Sequence, residues 1–164
     1  MRNLPEDRTC GGCTACCKTH GVAELQKPGG TLCSHCDEGV GCRIYDRRPE
    51  ACRTYRCSWL ISLGLEEYRP DKTGIVPDHV TIPSLGLVLW LHEARKGKLK
   101  SRFARRQTRL NLEAGNAVFH VPTIGPAKLF VPEKKWDPEL AFRFDSKQRV
   151  VVIRARPEMF REPA

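Results

Sequence analysis

The run Cys10-Gly11-Gly12-Cys13-Thr14-Ala15-Cys16-Cys17 sets four thiols within eight residues, and the rest of the chain is read outward from it. If the stretch from about Cys13 is helical, Cys13, Cys16, Cys17 and His20 stand at i, i+3, i+4 and i+7 and project from one face. Gly11-Gly12 gives the backbone freedom to swing Cys10 round to the same point. Five further cysteines follow as Cys33-x2-Cys36, Cys42 and Cys52-x4-Cys57. The pair Cys33 and Cys36 has the short spacing of a zinc knuckle. Consecutive helical residues point about 100° apart, so Cys16 and Cys17 are not expected to grip one ion equally well. Nine thiols exceed one tetrahedral site. Two four-ligand sites, or one site plus structural thiols, both fit that count.

All nine cysteines lie between Cys10 and Cys57 in a chain of 164 residues, the length of one domain or of a small module fused to a larger one. The long Val/Ile/Leu runs all come after residue 59, and the mean hydropathy is −0.44. A front half short of apolar residues needs a staple, either disulfides or metal. Residues Met1–Arg8 hold no apolar stretch, and no run approaches membrane-spanning length. The expectation is therefore a cytoplasmic protein without membrane contact, where thiols stay reduced and dense cysteines bind metal. The odd cysteine total also fits a closed disulfide set poorly. A formal net charge of +9 favours acidic partners but says nothing about fold. Metal-bound thiolates would offset part of it.

The expected fold class is α+β. Residues 1–9 read as a disordered lead-in, residues 10–60 as a metal-binding module of short helices and loops, and residues 61–164 as a small unit packed with it. That unit is expected to hold a mostly antiparallel sheet and one or two helices. Arg69-Pro70-Asp71-Lys72-Thr73-Gly74 carries turn chemistry and reads as a connection. Ile75-Val76, His79–Ile82 and Gly86–His92 are strand-like, rich in β-branched and large apolar side chains. Leu99, Phe103, Leu110 and Ala114 follow helical spacing on one face, with Gly115-Asn116 as the stop. Strands are expected at Ala117–Val121, Lys128–Val131 and Gln148–Ala155. Asp137-Pro138 reads as the cap and first position of a short helix through Phe142.

The ordered motifs of the front half resemble a known family. They are Cys10-Gly11-Gly12-Cys13-Thr14-Ala15-Cys16-Cys17, then Gly41-Cys42-Arg43-Ile44-Tyr45, then Arg48-Pro49-x2-Cys52-Arg53-x3-Cys57-x-Trp59-Leu60. Over about residues 10–60 the chain resembles the CxxCxxCC, or YkgJ-like, cysteine cluster family, a zinc- or iron-chelating domain. The resemblance implies that Cys10, Cys13, Cys16, Cys17, Cys33, Cys42, Cys52 and Cys57 are metal ligands, with Cys36 as a ninth candidate. The cofactor it implies is a zinc ion or an iron–sulfur cluster, with a redox or metal-handling role. A flagellin lysine N-methylase is similar in its cysteine motif, which implies a protein-modifying enzyme as an alternative. The present sequence has no Gly-rich loop for S-adenosylmethionine. Cys10, Cys13 and Cys16 also reproduce the first three ligands of the bacterial ferredoxin run, with a remote cysteine needed as the fourth. Zinc needs no such run, and Cys33, Cys36, Cys52 and Cys57 would close an all-thiolate tetrahedron.

Around the thiols, Arg43, Arg47, Arg48, Arg53 and Arg56 are placed to neutralise and hydrogen-bond thiolate sulfur. Arg48-Pro49 fixes the chain direction ahead of Cys52. Tyr45, Tyr55 and Trp59 read as packing over a metal site. His20 and His35 stand among the thiols as further ligand candidates, whereas His79, His92 and His120 read as ordinary strand histidines. Lys98, Arg102, Arg105 and Arg109 form a basic stripe on the helix of residues 98–110. A second alternative follows from it: a nucleic-acid-binding module with structural zinc, in which that stripe contacts phosphates. No nucleophile elbow, HExxH or P-loop is present.

Overall fold

The eight-residue stretches Ile75–Ile82 and Gly86–Glu93 pair as an antiparallel hairpin, Ile75 opposite Glu93 and Ile82 opposite Gly86. In the computed structural model, which describes residues 8–61, 65–139 and 150–161, they open a five-stranded sheet. Numbering along the chain, the helices are α1 (Ala15–Thr19), α2 (Glu50–Thr54), α3 (Ser58–Ile61), α4 (Pro70–Thr73) and α5 (Arg102–Glu113). The strands are β1 (Cys36–Asp37), β2 (Gly41–Cys42), β3 (Ile75–Ile82), β4 (Gly86–Glu93), β5 (Ala117–Val121), β6 (Ala127–Pro132) and β7 (Val150–Ala155). The fold is α+β: β1 and β2 form a small antiparallel pair, and β3 to β7 form the large sheet in chain order.

The sheet is mixed rather than mostly antiparallel. β3/β4 and β5/β6 are antiparallel, β4/β5 and β6/β7 parallel. Parallel neighbours need a long crossover, and α5, with its twelve residues, supplies the one between β4 and β5. Ile75-Val76 and His79–Ile82 join into one strand through Pro77. The proline is tolerated because β3 is an edge strand, where a missing N–H costs no ladder bond on the open side. Arg69–Gly74 is a connection that contains one helical turn, closed by Gly74 in the left-handed region at φ 73°.

Helix α5 starts later than its apolar spacing suggests. Ser101 is the N-cap, its hydroxyl accepting from the Ala104 N–H at 3.2 Å. Leu99 falls in the preceding 3₁₀ turn and Leu110 is 40% exposed, so the buried row is Ala104, Thr108 and Leu112 at i, i+4, i+8. That row packs on Ile75, Leu89, Leu91, Val118 and Phe130. The opposite sheet face buries Val88, Ala117, Phe119, Leu129, Val131 and Val150. Asp137 caps the turn that begins at Pro138, its carboxylate accepting from Glu139 N–H at 2.9 Å. The rest of the helix expected through Phe142, and residues 148–149 of the expected last strand, lie outside the described residues.

The cysteine-bearing segment docks on this sheet. Ala15, Cys13, Tyr55 and Cys57 pack against Val76 and Ala94, and α1 and α3 both touch β3. Arg8, at the edge of the expected lead-in, donates to Trp59 O at 2.9 Å and lies 4.7 Å over the Trp59 ring.

Candidate metal centre

The first motif folds as a turn, one helical turn and a cap. Cys13 N–H donates to Cys10 O at 2.8 Å, with Gly11 between them in the left-handed region at φ 50°. Gly12 is a close-approach position: a Cβ there would stand 3.1 Å from Gly39 O in the β1–β2 hairpin. Helix α1 spans only Ala15–Thr19, so Cys13 precedes it and His20 is its extended C-cap. The eight-residue helical face expected from the spacing is thus assembled from three conformations. The second knuckle is tied to the first by Cys33 N–H donating to Cys17 O at 3.0 Å. Cys36 opposes Cys42 across β1 and β2. Pro49 caps α2, which carries Cys52, and Leu60 N–H donates to Cys57 O at 2.9 Å at the start of α3.

These segments enclose a cavity of about 600 Å³ lined by Cys10, Cys13, Cys16, Cys17, Cys33, Cys42, Cys52 and Cys57. Cys36 is buried and does not line it. All nine thiols are free. Two neighbourhoods are distinguishable. Cys13 and Cys57 each feel the charge of Cys10, and Cys57 and Cys16 both act on Tyr55. Cys52 feels Cys17, Cys33 and Cys42. Cys16 and Cys17, though neighbours on a helix, are hydrogen-bonded through their sulfurs, and Cys17 is bonded to Cys36 as well.

Gathering the thiols raises their pKa values. The hydrogen bond with Cys16, and then burial, push Cys17 well up. Burial and the charge of Cys17 push Cys36 up to about 12. Burial pushes Cys57 up to about 11, with Asp78 and Cys10 adding to it. Cys17, Cys36 and Cys57 hold their protons at neutral pH unless a cation takes their place, and a soft metal does so by binding thiolate. Arg8, Lys27, Arg48, Arg53 and Arg56 all line the cavity, and two of these cations act on its thiols. Lys27 is buried, bonded through Nζ to the carbonyls of His20 and Pro28, with Cys33, Cys17, Cys16 and Cys52 around it. Arg48 lies 3.5 Å over the Tyr45 ring, donates to Tyr45 O at 2.7 Å and opposes the rise at Cys52. Arg43 and Arg53 instead pair with Asp37 and Glu50 at 2.6 and 2.8 Å. Lys27 escaped the sequence reading because a lysine among loop residues carries no spacing signal.

The histidines divide differently from expectation. His35 is half-buried and lies outside the cavity lining. His79 Nδ1 stands 2.8 Å from Ser58 Oγ, and His120 Nε2 2.8 Å from Thr108 Oγ1 inside the apolar core. His92 is no isolated strand histidine: it meets His20 and Asp78, whose carboxylate also accepts from Tyr55 OH at 2.7 Å. The hairpin register carried the missing signal. With Val76 opposite His92 and Asp78 opposite Trp90, Asp78 and His92 share one face.

The basic stripe sits apart from the thiols. It runs along α5, on the sheet face of Leu89 and Leu91, and Arg109 is paired with Glu113 at 2.8 Å. Among the described residues no helix is long and apolar enough to cross a membrane. Comparison of the chain with family models, curated proteins and solved structures finds no match.

Proposed function

We propose that this chain is an iron–sulfur protein whose cysteine segment carries its clusters for electron transfer or metal handling. The observation that carries the reading is the convergence of eight thiols on one cavity of about 600 Å³, with Cys10, Cys13 and Cys16 in the spacing of the first three ligands of the bacterial ferredoxin run. We assign Cys10, Cys13, Cys16 and Cys57 to one set and Cys17, Cys33, Cys42 and Cys52 to another, the two meeting where Cys16 and Cys17 are hydrogen-bonded. The first set is the ferredoxin-like run with Cys57 as its remote fourth ligand. Lys27 and Arg48 offset the charge of the second. The resemblance to the CxxCxxCC family supports metal binding, by zinc or by iron alike, and a reducing cytoplasm is the fitting compartment.

The test is anaerobic purification followed by an absorption spectrum and assay of iron, zinc and sulfide. Iron with equal sulfide, and a broad visible band that bleaches on reduction, is the expected result. Stoichiometric zinc in a colourless protein overturns it. Cys33→Ser is expected to lower iron by about half, whereas Cys36→Ser leaves iron per chain unchanged.

A further inference from the structure

Beside the thiol cavity three side chains converge from separate elements. Asp78 and His92 rise from the β3–β4 hairpin on one sheet face, and His20 comes from the end of α1. His20 Nε2 stands 2.8 Å and His92 Nε2 3.6 Å from the same oxygen, Asp78 Oδ2, and all three atoms lie within 4.8 Å of one another. We propose that His20, Asp78 and His92 form a separate mononuclear site for a divalent first-row transition metal, distinct from the thiol ligands and adjoining their cavity.

The surrounding bonds orient all three groups for that task. Asp78 is 8% exposed, and its other oxygen, Oδ1, is held by Tyr55 OH at 2.7 Å. Oδ2 is left to the two imidazoles. Thr19 Oγ1 donates to Ala15 O at 3.2 Å, which leaves it to accept from His20 Nδ1 at 2.7 Å. On the other side of the ring Nε2 and Asp78 Oδ2 share a hydrogen bond at 2.8 Å, which an ion entering between them would replace. An outer hydrogen bond on the far nitrogen is the usual support of a metal-bound histidine. The His92 ring makes no hydrogen bond among the described residues, and its Nε2 stands 3.6 Å from Oδ2. The three rings are stacked into place, with His20 4.5 Å from Tyr55 and 4.4 Å from His92.

Distances and donor chemistry agree. An ion about 2.0–2.2 Å from imidazole nitrogen and carboxylate oxygen separates such donors by about 3 Å, and 2.8 and 3.6 Å bracket that value. Two imidazoles and one carboxylate suit ferrous iron, manganese, cobalt or zinc rather than calcium or magnesium. Three protein ligands leave positions free for water or a small anion. The site adjoins the thiol cavity, since His20 and Tyr55 line that cavity too.

The site is tested on the full chain with its native thiol-bound metal in place. Cobalt(II) is added by equilibrium dialysis and followed by elemental analysis and difference absorption. One extra cobalt per chain is expected, with weak visible bands and no intense thiolate charge-transfer band. His92→Phe keeps the ring packing, and Asp78→Asn keeps the shape. Each should weaken cobalt binding at least about tenfold while native iron, zinc and sulfide per chain stay unchanged. Failure of wild-type protein to take the extra ion, cobalt bands of thiolate character, or unchanged affinity in both variants overturns the proposal. Because the readout is cobalt at nitrogen and oxygen donors, it stands whether the thiols hold iron–sulfur or zinc.

Discussion

The two regions of this molecule hold their shape by different means. From Ile75 onward the chain buries Leu89, Leu91, Val118, Leu129 and Val131 at 0–1% exposure on two faces of one sheet, with a twelve-residue helix over one of them. Residues 8–61 bury only Ala15, Val22, Cys36 and Trp59 among their apolar side chains, and none of their α-helices exceeds five residues. Helices that short do not persist alone, since nucleation is costly and each adds few hydrogen bonds. The segment with the least apolar burial is the one with all the thiols. The sheet is a product of the hydrophobic effect, and on the proposed reading the front segment is organised by what its cysteines bind.

That contrast is broken most forcefully by taking the metal away. A strong chelator under reducing, oxygen-free conditions should abolish amide protection across residues 10–60, a free-energy change on the order of 10 kcal/mol per tightly bound site. Protection in β4, β5 and β6 should survive. Hydrogen exchange read by mass spectrometry separates the two regions, and a front segment that stays protected without metal would refute the division of labour.

The converse perturbation is Leu91→Ala. Leu91 is fully buried between the sheet and α5, so the cavity left behind is expected to cost about 4 kcal/mol. Metal per chain should not change. Urea unfolding and elemental analysis on the same preparation check both halves of that statement. Loss of metal together with stability would mean that the regions fold as one cooperative unit.

The same contrast explains what was legible in the sequence. The cysteine spacing pointed to metal binding, in one site or two, and β-branched runs located β3 to β7, because both are local signals. The parallel pairing of β4 with β5 was not legible, since nothing in either strand says whether a helix crosses between them. Leu99 and Leu110 fit the helical period yet do not form its buried row, because Ser101 sets where the helix begins. His92 looked ordinary for a related reason. Its meaning depends on Asp78 across a hairpin and His20 far along the chain, a tertiary coincidence that no window of sequence contains. Cys36 shares a knuckle with Cys33 and is buried outside the cavity lining, its sulfur bonded to the lining thiol of Cys17.

The smallest expected effect sharpens the comparison through pH. His120 sits 7% exposed in the core below α5, its Nε2 2.8 Å from Thr108 Oγ1. Thr108 donates its own proton to Ala104 O at 2.8 Å, so the ring nitrogen is the donor in that pair and the imidazole is neutral. Burial, helped by Lys128, lowers its pKa from the usual 6.5 to about 4. A base whose folded pKa is depressed takes up its proton first in the unfolded chain. Stability is therefore intact above pH 6.5 and falls as pH drops toward 4, because there the unfolded state binds more protons. The full difference is roughly 3 kcal/mol as an upper bound, below the Leu91→Ala effect. Metal release from the thiols in acid falls in the same range, so the comparison is between wild type and His120→Gln. The variant has no ring to titrate and should lose stability less steeply between pH 6.5 and 4, by up to one proton in the slope. Equal slopes in urea unfolding series would place the acid sensitivity of this protein wholly in its thiol-bearing half.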